Sequence, residues 1–362
     1  MSNPVLFEAF PDLKGKLAWI PLGSFPTPVE RLEHIGLDNL WIKRDDKSSN
    51  IYGGNKVRKL EFVLGDVVRK KKRHVITFGG IGTNHGLATA IFCRQLGIAC
   101  TLLLFYQPVT AFVQQNMLLF RQYGSTMIHT RTLPWTVVHF YILQRLIHPG
   151  AYFLFAGGSS PVGTLGFVNA AFELREQIRQ GQMPTPDYII CPVGSNGTMA
   201  GLSLGMLLAG LPTQVIGVRV AASHLGPFEA CTPGTVRTLM KQTLAVLKKG
   251  SDRIPNHVIG TQRIIDDYFG DGYGHPTPGG LQAIKIMHER TGIKLEPTYT
   301  GKTFAAVMDF AHKEENSAST ILYWHTYNSV DLKDQASAVD YHDLPRTLHS
   351  FFEKTSCADS LQ

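Results

Sequence analysis

The sequence predicts an α/β protein of two open parallel-sheet domains, with helices on both faces of each sheet and a cleft between the domains. Three observations carry that expectation. The chain has 362 residues, 44% hydrophobic and 17% charged, which suits a compact globular protein with more than one small core. Two separate strand–loop–helix–strand neighbourhoods occur, over residues 75–105 and 188–220. Between Asp66 and Glu173 there is no acid at all, yet Arg69, Lys70, Lys71, Lys72, Arg73, Arg94, Arg121, Arg131 and Arg145 fall there. With a total charge of +7, the rest of the chain is therefore slightly acidic, and so sharp a segregation marks a separate domain. The expected boundaries are 1–62 and 170–362 for a large domain and 63–169 for a small inserted one.

Each element follows from local pattern. In the run Tyr52-Gly53-Gly54-Asn55-Lys56-Val57-Arg58-Lys59-Leu60, two glycines allow a turn and Asn55 can cap a helix. Val57, Leu60, Val63, Leu64, Val67 and Val68 then recur at helical spacing. Lys56 falls at the positive end of that helix, where the dipole favours the neutral amine that a carbonyl needs. An ordinary solvated lysine fits this local sequence as well. The basic run at 69–73 closes the helix, where cations complement the dipole, so it argues little for nucleic acid. Residues 75–78 read as a buried strand, 79–86 as a loop, 87–96 as a helix and 100–105 as a strand. The aromatic-rich stretch 135–155 is helical around 136–147 and then gives way to a short strand. Residues 188–193, 194–198, 199–208 and 215–220 repeat the order of strand, loop, helix and strand.

Several classes are excluded by what is missing. No run reaches the roughly 18 apolar residues of a membrane span, and the first residues lack the basic and apolar pattern of a signal peptide. Cysteines at 93, 100, 191, 231 and 357 show neither a CxxC pair nor metal-ligand spacing. A reducing cytoplasm, no structural disulfide and no metal are expected.

Two loops carry the chemistry. Gly79-Gly80-Ile81-Gly82-Thr83-Asn84-His85-Gly86 lies between strand and helix, but its spacing is not GxGxxG and no acid follows about 20 residues on, which argues against a nicotinamide enzyme. It offers a hydroxyl, an amide and an imidazole at a helix N-terminus, suited to an anionic group or a phenolic oxygen; a plain turn with its polar residues in water fits equally. Gly194-Ser195-Asn196-Gly197-Thr198 sets small residues and two hydroxyls where backbone N–H groups can close around a phosphate. No GKS or GKT follows, so it is not a nucleotide loop. One phosphate site beside a candidate Schiff-base lysine fits pyridoxal 5'-phosphate.

GGNK, GGIGTNHG, AGGSSPVGTLGFVNAA, GSNGTMAGL, DGYGHP and PTYTGKT, in that order from about residue 24 to 332, together resemble the 1-aminocyclopropane-1-carboxylate deaminase and D-cysteine desulfhydrase family. The resemblance implies the tryptophan-synthase-β-like fold of pyridoxal-phosphate enzymes, with the cofactor in the interdomain cleft, and a homodimer. It implies that Lys56 is the Schiff-base lysine and that Asn55 lies beside the cofactor. It implies that Asn84 meets the cofactor's phenolic oxygen and that Gly194, Ser195, Asn196, Gly197 and Thr198 hold its phosphate. Thr83, Asn84, His85, Tyr273, Tyr299 and Thr326 are implied on the substrate side, with Thr83, Tyr273 and Tyr299 taking part in the reaction. Thr300 is implied at the pyridine nitrogen, where a hydroxyl leaves the ring less electron-withdrawing than a carboxylate does.

Family deaminases resemble a Tyr-Glu-Gly-Lys pattern there and a His-Leu pair later. This chain has Tyr299-Thr300-Gly301-Lys302 and His325-Thr326, the desulfhydrase pattern. The implied reaction is a β-elimination on a small amino acid, D-cysteine foremost, giving pyruvate, hydrogen sulfide and ammonia. D-Serine, β-chloro-D-alanine or the cyclopropane amino acid are the alternative substrates, and a non-catalytic cofactor-binding descendant is an alternative of another class. The chain departs from the family at Thr83, where Ser is usual, at Asn196, where Gly is usual, and at Tyr327, where a Gly-Gly-x-Pro run is usual. Neither nucleic acid nor membrane is expected as a partner.

Overall fold

The computed structural model describes residues 3–353. Its strands, in chain order, are β1 (Val29–Arg31), β2 (Leu40–Arg44), β3 (His74–Gly80), β4 (Ala99–Phe105), β5 (Thr126–Arg131), β6 (Tyr152–Phe153), β7 (Tyr188–Val193), β8 (Gln214–Arg219), β9 (His224–Leu225), β10 (Phe228–Glu229), β11 (Arg263–Ile265) and β12 (Ile321–His325). They form a six-stranded sheet in the order β1-β2-β12-β7-β8-β11, a four-stranded sheet in the order β5-β4-β3-β6, and the small β9–β10 hairpin. Every pairing in the two larger sheets is parallel except β1 with β2. The expected α/β class with two parallel sheets is what the chain forms.

Two compact units result, Met1–Asp66 with Gly158–Val330 and Val67–Gly157 with Asp331–Gln362. The division differs from the sequence boundaries at three places: residues 63–66 stay with the first unit as part of the Asn55–Arg69 helix, and two longer stretches change unit for a packing reason. Residues 158–169 go with the first unit because the Pro161–Arg179 helix packs along the Gly197–Ala209 helix. Residues 331–353 go with the second unit, not with the large domain expected from sequence. There the Gln114 side chain donates to the Phe351 carbonyl at 2.8 Å and the Phe351 ring meets His129 edge-on at 5.4 Å.

Within the first unit the parallel strands are apolar on both faces, as helix-covered strands must be. Ile189, Ile190 and Cys191 of β7 and Ile321, Leu322, Tyr323 and Trp324 of β12 are all buried. Four charges are buried with them. Arg58, three residues after Gly54-Asn55-Lys56 begin their helix, donates from Nε and Nη2 to Asp45 at 2.9 and 2.7 Å and from Nη1 and Nη2 to Glu173 at 2.9 Å each. Lys43 donates to Glu173 at 2.6 Å, and the Trp324 indole donates to Asp45 at 2.7 Å. Two cations thus face two carboxylates, with the remaining lone pairs taken by Thr27 and Trp324. Burial alone would raise Glu173, but the Arg58 and Lys43 charges outweigh it and hold the carboxyl at about 2.

Removing one member of such a set strands the others without a counter-charge. Glu173→Gln is expected to cost about 3–5 kcal/mol in denaturant unfolding. Because the folded value lies below the ordinary 4.5, the stabilisation by Glu173 is full above that pH and disappears as pH falls towards about 2. The wild type should therefore lose about 3 kcal/mol more than Glu173→Gln across that window, measured by pH-resolved unfolding; equal slopes would show that Glu173 is not held by the pair.

Candidate cofactor and active site

The Asn55–Arg69 helix begins where the chain threads past residues 45–46 and 326–328. The Asn55 N–H donates to the Thr326 carbonyl at 3.1 Å, and a Cβ on Gly54, whose φ is +90°, would come within 2.8 Å of that same oxygen. Only glycine fits there. Lys56, the second residue of the helix, is half-buried, and burial lowers its amine to about 8, with the Glu296 carboxyl opposing the shift. The sequence credited the helix end for this; the structure puts burial first. Asn55 directs its side-chain amide to Thr198 Oγ1 at 3.1 Å, tying the helix start to the 194–198 loop.

One turn after Lys56, Lys59 is buried and donates to Ser159 Oγ at 3.0 Å. Burial, followed by the charge of Lys56, pushes it well below an ordinary lysine. Ser159 Oγ also lies 2.8 Å from Ser195 Oγ and accepts from the Gly197 N–H at 3.2 Å. A Cβ at Gly197 would meet Ser159 Oγ at 2.5 Å and Lys59 Nζ at 2.8 Å, so the loop is glycine where the amine and hydroxyls converge. None of the groups in this cradle is acidic. Neither Lys59 nor Ser159 was singled out from sequence, although both lie inside the motifs: Lys59 follows the GGNK run and Ser159 sits in the AGGSS run.

Asn196 explains how the loop tolerates a side chain where the family has glycine. Its backbone is left-handed (φ 67°, ψ −28°), a conformation asparagine adopts more readily than most residues. Its side-chain amide points away, donating to the Ala230 carbonyl at 2.7 Å and to Thr235 Oγ1 at 3.1 Å. It therefore makes no cap bond to the Gly197–Ala209 helix, whose Gly197 N–H goes instead to Ser159 Oγ. Backbone N–H groups, three hydroxyls and a buried amine are the donor set a phosphate monoester needs, and the residues present fit pyridoxal phosphate.

Tyr273 and Tyr299 share a hydrogen bond of 2.6 Å between their hydroxyls, and the Tyr299 ring lies 3.5 Å from where a Cβ on Gly194 would be. Burial raises both phenols, so they are O–H donors at neutral pH. Lys302 fixes the turn ahead of Tyr273 by donating to the carbonyls of Phe269 at 2.6 Å and Gly272 at 3.2 Å. Thr300 is buried, and its Oγ1 accepts from the Glu296 N–H at 2.8 Å while lying 3.2 Å from both the Glu296 carbonyl and its Oε1. Glu296, unnoticed in the sequence, accepts the N–H groups of Thr298, Tyr299 and Thr300 at 2.7–2.8 Å, yet burial still lifts its carboxyl above the usual range. Beside Thr300, Tyr323 Oη lies 3.4 Å from the Thr300 carbonyl and from His325 Nδ1, and burial lowers that imidazole to about 4. Thus Lys56, Asn55, the 194–198 loop, Tyr273, Tyr299, Thr300 and Thr326 all belong to the first unit.

In the second unit, Thr83 caps the Asn84–Gln95 helix, its Oγ1 accepting the Gly86 N–H at 3.3 Å. Asn84 accepts from the Asn116 amide at 3.3 Å, and that amide also donates to the Gly82 carbonyl at 2.8 Å. His85 is buried, with Nε2 2.9 Å from Thr77 Oγ1 on β3. The extra methyl of Thr83 packs against Gly86, where a Cβ would come within 2.5 Å of it. Among the described residues no group of His, Cys, Asp or Glu is placed to hold a metal ion; Cys93, Cys100, Cys191 and Cys231 are buried free thiols, and Cys357 lies outside the described residues.

The cradle makes a graded prediction. Asn196→Ala keeps the strained φ and loses both bonds to 230 and 235, so it should cost about 1–3 kcal/mol, whereas Asn196→Gly relieves the strain and should cost about 1 kcal/mol less than alanine. Thermal unfolding of the two variants checks the order; a more stable alanine variant would contradict the left-handed assignment.

The comparisons identify the family and the fold. A family model described as pyridoxal-phosphate dependent enzyme matches residues 20–326. The chain is 30% identical over 314 residues to a D-cysteine desulfhydrase of Salmonella newport, covering 83% of this chain and 91% of that protein. It is 32% identical over 315 residues to a Pyrococcus abyssi protein provisionally named 1-aminocyclopropane-1-carboxylate deaminase, covering 85% and 90%. A solved structure described as an ACC deaminase homologue superposes with a TM-score of 0.73 at 28% identity, over 93% of this chain and 99% of that one. With the family model spanning residues 20–326 and relatives at 30–32% identity over most of their length, the chain belongs to the pyridoxal-phosphate-dependent enzymes, in the 1-aminocyclopropane-1-carboxylate deaminase and D-cysteine desulfhydrase family.

Proposed function

We propose that this enzyme is a β-eliminating lyase, converting D-cysteine and water to pyruvate, ammonia and hydrogen sulfide. The observation that carries the reading is Thr300: a hydroxyl, not a carboxylate, stands at the position assigned to the ring nitrogen, and its own partner is Glu296. When bound, pyridoxal phosphate supplies an electrophilic carbonyl carbon and a ring that accepts the electron pair released at Cα. A hydroxyl there supports the expulsion of a good leaving group more than the opening of a cyclopropane ring.

The chain's own groups have defined tasks in this reading. Lys59, Ser159 and the residues 194–198 grip the phosphate, with Asn55 bracing Thr198. Lys56 is the amine that attaches the cofactor and, once released, the base that takes the Cα proton. Its lowered amine leaves a useful neutral fraction at pH 7–8, which an ordinary lysine does not. Tyr299 and Tyr273, joined by a short hydrogen bond and neutral, orient the β-substituent and give the departing thiolate a proton. Thr326 carries the carbonyl that fixes the Lys56 helix and lies on the substrate side. In the second unit Thr83, Asn84 and His85 stand at a helix start whose N–H groups suit a carboxylate, and the Asn84 amide suits a phenolic oxygen. A homodimer in the cytoplasm completes the reading, as the family resemblance implies.

The cyclopropane amino acid, D-serine and β-chloro-D-alanine are the competing substrates. A panel of D- and L-amino acids, read by visible absorption and by release of keto acid and sulfide, separates them; D-cysteine giving no sulfide would refute the assignment. Lys56→Ala should remove the visible absorption band of the bound cofactor and lower turnover by about 10³-fold or more, the scale of losing an essential base or nucleophile. Thr300→Glu should depress elimination from thiol amino acids. Since the reactive form of Lys56 is the neutral amine, uptake of cofactor by the cofactor-free protein should rise as pH climbs to about 8 and level off above it. A rate independent of pH from 6 to 9 would place the amine elsewhere.

A further inference from the structure

The second unit carries an unusual surface that the reaction does not use. Residues 133–147 form one continuous helical segment, Leu133–Val138, a π-helical stretch His139–Leu143, and Gln144–Ile147. Its covered face is Thr136, Phe140 and Gln144, with Phe140 packed edge-on against Phe78 of β3 and Phe153 of β6. The opposite face should be polar in a helix of this kind. Instead it presents Leu146 at 76% exposure, Ile147 at 62%, Ile142 at 55%, Trp135 at 50% and Tyr141 at 48%.

The flank of this apolar face is cationic. The exposed Arg145 lays its guanidinium over Phe153 at 4.4 Å. His148, at the helix end, meets the His74 ring at 4.8 Å, which brings the helix end beside the basic run 69–73, and Lys70 Nζ sits 5.5 Å over Tyr152 of β6. No acid occurs in residues 67–157. Among the described residues the acids of this unit lie in 331–353, which pack on His129 of β5, at the opposite edge of the sheet from β6. The segment runs across the sheet, from Trp135 beside β4 and β5 to the end where Leu146, Ile147 and Arg145 share the β6 edge with the basic run.

Each class of partner answers part of this pattern. Nucleic acid would neutralise the cations but offers nothing to Leu146 and Ile147. A second copy would cover the apolar face but bring an equal set of cations against the first. An anionic bilayer satisfies both, with hydrocarbon for the aliphatic side chains, an interface for Tyr141, and phosphates for the basic rim. We propose that the β6 edge of the second unit is a docking surface for an anionic lipid bilayer, with Tyr141, Ile142, Leu146 and Ile147 seated in the interface and Arg145 with the 69–73 run on the headgroups. The attachment is peripheral: no helix among the described residues is long and apolar enough to cross a membrane. This surface departs from the sequence expectation, which was of no membrane partner.

The test is flotation of the full-length holoenzyme with vesicles of equal parts phosphatidylglycerol and phosphatidylcholine, and with phosphatidylcholine alone. Binding is expected on the anionic vesicles, and weaker by about tenfold or more on the neutral ones and at about 0.5 M salt. Leu146→Ser with Ile147→Ser should weaken it by about tenfold or more. Lys71→Gln with Arg73→Gln should lose about fivefold per cation. Unchanged melting curves show that both variants fold. Absence of flotation, equal binding to neutral vesicles, or equal binding by the serine variant would overturn the proposal. So would a fall in solution mass caused by the serine pair, which would make the face a contact between copies, or loss of duplex DNA retention with no vesicle binding.

Discussion

The buried arrangement of Arg58, Asp45, Glu173 and Lys43 is the constraint on which the first unit depends. Its members come from the strand β2 and the turn after it, from the Lys56 helix, and from the Pro161–Arg179 helix, and the β12 tryptophan closes it. Ions taken out of water hold one another only when geometry is nearly ideal, so the set admits one relative placement of those elements. Arg58 is two residues beyond Lys56. Fixing its guanidinium at both ends fixes the phase of the helix, and with it the direction in which Lys56 and Lys59 project. The amine proposed as the reactive one is thereby positioned by the buried charges around Arg58.

Lys56 and Lys59 lie one helical turn apart, and the charge of Lys56 adds to the burial that depresses Lys59. The two differ in what surrounds them. Lys56 has the Glu296 carboxyl opposing its shift and stays near neutrality in affinity for a proton, as a nucleophile must. Lys59 meets hydroxyls and a helix N-terminus, so its environment is one in which a phosphate restores the missing counter-charge. In the proposed reading, binding and reactivity are divided between two side chains of the same type by what surrounds each.

Much of this was legible in the sequence because it rests on local pattern. The helix after Gly54, the strand–loop–helix units and the phosphate loop are written in apolar periodicity and glycine placement, and the structure realises them as Asn55–Arg69, β3 with Asn84–Gln95, and β7 with Gly197–Ala209. What was not legible depends on long-range pairing. Glu173 is 115 residues from Arg58, and nothing near either names the other. Ser159 and Lys302 lay inside recognised motifs without a role, because their partners, Lys59 and the carbonyls of 269 and 272, are distant in the chain. The direction of Asn196 was likewise hidden: a residue replacing glycine suggests obstruction, and only the left-handed backbone shows its amide leaving the cradle.

That same residue has a kinetic implication. Asn196 joins the phosphate loop to Ala230 and to the Thr232–Thr235 cap, immediately after the β9–β10 hairpin whose Phe228 is 74% exposed. A glycine at this position would let the loop breathe independently of its surroundings; the asparagine makes it share their fluctuations. With the 194–198 loop holding the cofactor's phosphate as proposed, the residence time of the cofactor is governed partly by how firmly a surface hairpin is held, and drift in that hairpin becomes a means of retuning how long the enzyme stays loaded.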